Sequence, residues 1–132
     1  MMTEGEFKKR TKAAAMRVIR LVAAWPKSPA ADVIGRQLLR AGTSVGANYR
    51  AACRARSRRD MISKLGIVEE EADESVYWLE LLADSKLVAP RRLVDLTREF
   101  NEILALTVAS SKTLRSGTPS PKSKIQNPTS KS

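Results

Sequence analysis

Apolar or small side chains recur in alternating steps of four and three along four successive segments, and this spacing constrains the fold more than any other feature. Such steps bring side chains onto one face of an α-helix, whose period is about 3.6 residues. The first seam reads Phe7, Thr11, Ala14, Val18, Leu21, Trp25, and the second Ile34, Leu38, Ala41, Val45, Tyr49, Ala52. The third is Met61, Leu65, Val68, Ala72, Ser75 or Val76, Leu79, Leu82. The fourth carries Leu93, Leu96, Phe100, Ile103, Leu104, Thr107 and Val108 inward. No stretch alternates as a half-buried strand does, and there is no Asn-Gly or Asp-Gly hairpin turn. An all-α four-helix bundle is expected.

Local signals divide the seams into helices at about 6–25, 30–56, 58–86 and 90–114. Residues 1–5 read as loose. Pro26 stops the first helix, because proline disfavours helical geometry in the residue before it. Ser28 is a candidate N-cap, with Pro29 in a first-turn position that tolerates proline. Gly42 and Gly46 lie beside the second seam, where each glycine costs about 1 kcal/mol against alanine. They read either as a turn between two shorter helices or as a place where a neighbouring backbone comes close. The seam keeps its phase through them, which favours one continuous helix. Ser57 with Asp60 three residues on resembles a helix start, and Pro90 precedes the fourth helix.

A chain of 132 residues has room for one such domain. It is placed at residues 1–115, with a Ser, Pro and Lys tail over 116–132 that is too poor in apolar side chains to offset the ordering of its backbone. Lys and Arg number 24 against 14 Asp and Glu, a net +10. Lys112, Arg115, Lys122, Lys124 and Lys131 supply half of that surplus, with no acid among residues 112–132. An excess of this size favours polyanions, although it also serves solubility. Without histidine the chain lacks the usual base for serine or cysteine catalysis, and histidine metal sites are excluded. One cysteine, Cys53, permits no intrachain disulfide and suits a reducing cytoplasm. No stretch approaches the roughly 20 apolar residues of a membrane span, and no leader pattern opens the chain.

Two charged constellations stand out. Arg36, Arg40, Arg50 and Arg54 share one face of the second helix, and Arg56, Arg58 and Arg59 carry positive charge around the turn that follows. Guanidinium groups in such an array can follow a phosphate backbone without reading its sequence. For Arg36, Arg40 and Arg50 a subunit or intramolecular contact is the favoured reading, with Glu69, Asp73 and Glu80 of the third helix as facing acids. Arg54, Arg56, Arg58 and Arg59, beside the basic tail, are the candidate nucleic-acid contacts. Opposite its core seam the third helix also carries Ile67, Tyr77, Trp78 and Leu81, a second apolar strip that points to another subunit.

Other chemistry fits poorly. Five acids within residues 69–74 lack the Glu-x-x-His pairs of bundle metal sites, and nothing suggests a sugar-sized cleft between paired carboxylates. Cys53 beside the inner seam reads as a small core residue rather than a reactive thiol. Trp25 closes the first seam more plausibly than it stacks on bases, and Trp78 belongs to an interface. The basic first helix has too much alanine and threonine on its apolar face to insert into a membrane.

The run LLRAGTSVGANYR followed by RARSRRD, then EEEADESVYWLELL, resembles the small bacterial four-helix-bundle proteins encoded by intervening sequences in 23S ribosomal RNA genes. The similarity covers residues 7–115. It implies an up-down-up-down bundle that assembles as a homopentamer, with no known enzymatic activity and no cofactor. A related fold, the accessory protein of diversity-generating retroelements, is a basic pentamer that engages nucleic acid and a reverse transcriptase. Two positions depart from the pattern: Ala51 where members often carry glutamate, and Met61 where many carry phenylalanine. If that glutamate pairs an arginine in relatives, more positive charge is left uncompensated here. The expectation is a non-enzymatic, cytoplasmic, oligomeric bundle that binds RNA or DNA through backbone charge. The alternative is an assembly protein whose charged stripes engage only its own copies or a protein partner.

Overall fold

A computed structural model describes residues 2–117 as four α-helices, with no strand among the described residues. Helix α1 spans Glu4–Ala24, α2 Pro29–Cys53, α3 Arg58–Asp84 and α4 Val94–Ser116, with a 3-10 turn at Pro90–Arg92 leading into α4. Each helix packs chiefly on its neighbours in sequence, α2 on α3 most extensively. Contact between α1 and α4 is slighter, so the bundle has one looser seam. The expected tail falls largely on residues 118–132, outside the described residues.

Helix boundaries follow from capping. Helix α1 begins earlier than residue 6, because Thr3 and Glu6 form a reciprocal capping box that orders the first turn. The Thr3 backbone hydrogen bond holds the Glu6 carboxyl below its ordinary range. Ser28 and Ser57 cap α2 and α3 by accepting from Ala31 and Asp60 backbone N–H groups. Helix α2 stops at Cys53 rather than 56: the Arg54 N–H turns back to Ala51 and Ala52 carbonyls, and Ser57 must be extended to cap α3. Helix α3 ends at Asp84, short of the expected 86, and Lys86 follows with a left-handed φ of 61°. Gly117, at φ 73°, terminates α4 where a residue without Cβ meets no penalty.

The four seams form the core. Phe7, Val18, Leu38, Val45, Tyr49, Leu65, Leu79, Phe100 and Ile103 are all essentially inaccessible. Phe7 and Tyr49 meet edge to face at 4.6 Å between centroids, which ties the start of α1 to the end of α2. Such a pair contributes about 0.5–1.5 kcal/mol beyond its area. Helix α2 is continuous through Gly42 and Gly46. These two glycines and Gly35 lie against α1, where an added Cβ would sit 2.9 Å from Val18 Cγ2, 3.2 Å from Thr11 Oγ1 and 2.7 Å from Trp25 Cζ2 respectively. Trp25 itself is buried and closes the first seam. Ile34, expected on the second seam, is only half-buried, because the small Gly35 beside it takes the close approach to Trp25.

Candidate nucleic-acid interface

Arg54, Arg56, Arg58 and Arg59 gather at the corner between α2 and α3, all exposed. The local sequence dictates this: α2 must end and Ser57 must extend, so four basic side chains cluster within six residues of chain. None of the four forms an ion pair among the described residues. Asp60, the nearest acid in sequence, is engaged by Lys64 at 3.3 Å. Arg58 also reaches the end of α4, since a Cβ on Gly117 would lie 3.6 Å from its Nη1. The corner therefore adjoins Gly117, the last of the described residues.

The arginine stripe of α2 behaves differently. Arg40 pairs with Glu71 at 3.4 Å and with Glu74, both on α3. Those two carboxylates, Glu71 first, raise the Arg40 pKa. The expected acids Glu69, Asp73 and Glu80 are not the partners. At 100° per residue they lie on the α4 side of α3, whereas Glu71 and Glu74 flank α2. Arg36 and Arg50 are exposed and form no ion pair among the described residues.

A second paired arginine carries no signal in the local sequence. Arg10 of α1 donates to Glu99 from Nε at 2.6 Å and from Nη2 at 2.9 Å, and Nη2 also reaches Glu102 at 2.5 Å. The Glu99 hydrogen bond chiefly holds the guanidinium above its usual pKa. This fork closes the seam between α1 and α4.

On the outer side of α3, Tyr77 is 54% exposed and Ile67 38%. Trp78 and Leu81 are only half-buried, and Trp78 packs on the edge of the core while its indole N–H donates to Glu74 at 3.3 Å. Tyr77 and Trp78 meet edge to face at 5.0 Å. Cys53 is half-buried, and burial, with Glu4 adding to it, pushes its thiol up to about 11. That is the reverse of what an activated nucleophile needs. An apolar groove of about 610 Å³ runs between the end of α3 and the outer side of α4, with Glu80, Asp84 and Glu102 among its lining residues. It is acidic-edged and remote from the arginine corner. Among the described residues no group of three acids or cysteines is placed to hold a metal ion, and no helix is long and apolar enough to cross a membrane.

A family model described as 23S rRNA-intervening sequence protein matches residues 4–109. No curated protein matches the chain. Among solved structures, a protein of unknown function from the S23 ribosomal protein family of Bacteroides thetaiotaomicron is similar, with 35% identity and a TM-score of 0.78. The match covers 85% of this chain and 100% of that one.

Proposed function

The chain belongs to the 23S rRNA-intervening sequence protein family, and from that premise we propose that it is a non-enzymatic, cytoplasmic protein that binds RNA through phosphate charge and assembles with copies of itself. The carrying observation is the contrast among its arginines. Arg10 and Arg40 are each matched by two glutamates, whereas the four at the α2–α3 corner have no carboxylate partner among the described residues. Exposed guanidinium groups without internal partners keep their donors available for phosphate oxygens. The lysines at positions 122, 124 and 131 continue the same charge beyond Gly117.

A second reading, assembly alone, draws on the exposed Ile67 and Tyr77 of α3. Salt dependence separates the two. Four phosphate contacts to a single-stranded RNA oligonucleotide lower affinity by about fiftyfold between 50 and 200 mM salt. The triple reversal Arg56→Glu, Arg58→Glu, Arg59→Glu removes most of that binding and flattens the slope. RNA affinity unchanged both in that variant and after deletion of residues 118–132 refutes the proposal and leaves assembly.

A further inference from the structure

The seam between α1 and α4 changes character along its length. At one level Arg10 is answered by Glu99 and Glu102. One heptad further along α1 stands Arg17, and one heptad back from Glu99, in the antiparallel direction, stands Arg92. Position 92 ends the 3-10 turn at Pro90–Arg92, just ahead of α4, and an arginine stands there where a carboxylate could have answered Arg17. Arg17 and Arg92 line one groove together with Arg20, over Leu21 and Leu96, in a space of about 410 Å³. No acid lines it. All three arginines are exposed, and none forms an ion pair among the described residues. The nearest acid in sequence to Arg92, Asp95, is itself strongly exposed and pairs with Arg98 at 3.6 Å.

Like charges facing each other across a helix seam destabilise it, as opposite charges support it. Here the seam is already the loosest in the bundle, and three cations line one groove at this level with no acid among them. We infer that this groove is an oxyanion site that takes phosphate groups, with guanidinium forks from α1 and the 3-10 turn closing on a multiply charged ligand. The ligand supplies the negative charge that the groove lining lacks and completes the α1–α4 closure. The site lies toward the C-terminal end of α1, away from the corner at Arg54–Arg59, and does not depend on that corner binding RNA.

The test uses tripolyphosphate and the full-length protein. To silence the corner, thermal unfolding is followed in the Arg56→Glu, Arg58→Glu, Arg59→Glu background. Saturating tripolyphosphate raises its melting temperature by about 4 °C or more. Adding Arg92→Glu sets opposite charges across the seam from Arg17, so the protein is at least as stable without ligand and no longer responds to tripolyphosphate. A response that is absent in the corner background, or that survives Arg92→Glu, overturns the site. Single-stranded RNA of 20 nucleotides then distinguishes the phosphate's source in an otherwise native chain. If Arg92→Glu makes the log–log salt slope shallower by about 0.7 per lost contact, the phosphates are those of a nucleic-acid backbone. RNA binding unchanged while tripolyphosphate stabilisation is lost assigns the site to free oligophosphate. Loss of RNA binding in the corner variant alone bears on the corner and leaves the seam site standing.

Discussion

Gly42 of α2 lies so close to Val18 of α1 that a Cβ would come within 2.9 Å of Val18 Cγ2. Val18 is wholly buried, so it has little room to give way. Helix propensity favours alanine over glycine by about 1 kcal/mol, but overpacking a tight core costs about 1–3 kcal/mol. Gly42→Ala is therefore expected to lower stability in denaturant unfolding. Gly66→Ala, with nothing within 4 Å of its added methyl, is expected to raise it by about 1 kcal/mol. Equal responses at the two positions would show that α1 and α2 are not packed this closely.

Arg10 and Arg40 each hold two glutamates, but their settings differ. The Arg10 side chain is 22% exposed and forms a fork on Glu99, while that of Arg40 is 52% exposed. Hydrogen bonds to charged groups contribute about 1.5–3 kcal/mol where water is partly excluded, and exposed ion pairs under about 1 kcal/mol. Arg10→Ala should destabilise the protein clearly more than Arg40→Ala, by urea titration. The reverse order would mean that the α1–α4 seam is held by something other than this fork.

Burial raises the Cys53 thiol from 9.0 to about 11. The folded pKa is above the unfolded one, so the stability this thiol contributes is fully present below pH 9 and is lost as pH rises through 11. Alkylation by iodoacetamide should accordingly be slow at pH 8 and rise with a midpoint near 11. Cys53→Ala should flatten the alkaline decline. A midpoint at the value of an open thiol would place Cys53 in water.

Ile67 and Tyr77 expose apolar surface on the outer side of α3, away from the core seam. Light scattering at micromolar concentration should find an oligomer. Ile67→Glu with Tyr77→Glu should shift it toward monomer while the helical circular dichroism stays unchanged. A wild-type monomer would remove the self-assembly part of the proposed function.

Thr3→Ala should cost about 1 kcal/mol by opening the capping box at the start of α1. Amide exchange in the first turn should quicken, and the core around Val18 should keep its protection. Unchanged exchange at Glu6 would show that the cap does not order this end.

The seams are legible because helical periodicity is local. Val45, Val68 and Phe100 can be placed in the core from spacing alone, and Ser28 and Ser57 can be named as caps because a cap acts across three residues. The start of α1 differs from its sequence reading, in which residues 1–5 are loose, although Thr3-x-x-Glu6 is itself a capping signature and Met2 packs against the core. The partners of Arg40 differ for another reason. A stripe of acids about 150° further round the helix lies on a different flank of α3, and the flank that meets α2 depends on how the helix is rotated in the bundle.

The chain's own sequence determined four helices, their buried faces, the continuity of α2 through its glycines and the concentration of arginine at the α2–α3 turn. Each of these rests on interactions within a few residues or one helical turn. Only the tertiary structure decided which cations are compensated. Arg10 meets Glu99 and Glu102 across 89 and 92 residues, while Arg17 shares a groove with Arg92 of the 3-10 turn, because α1 and α4 run antiparallel in one particular register. Charge at a single position along one helix carries no record of what stands opposite. The pairing is set when the four apolar faces close on one another and fix each helix in rotation and height.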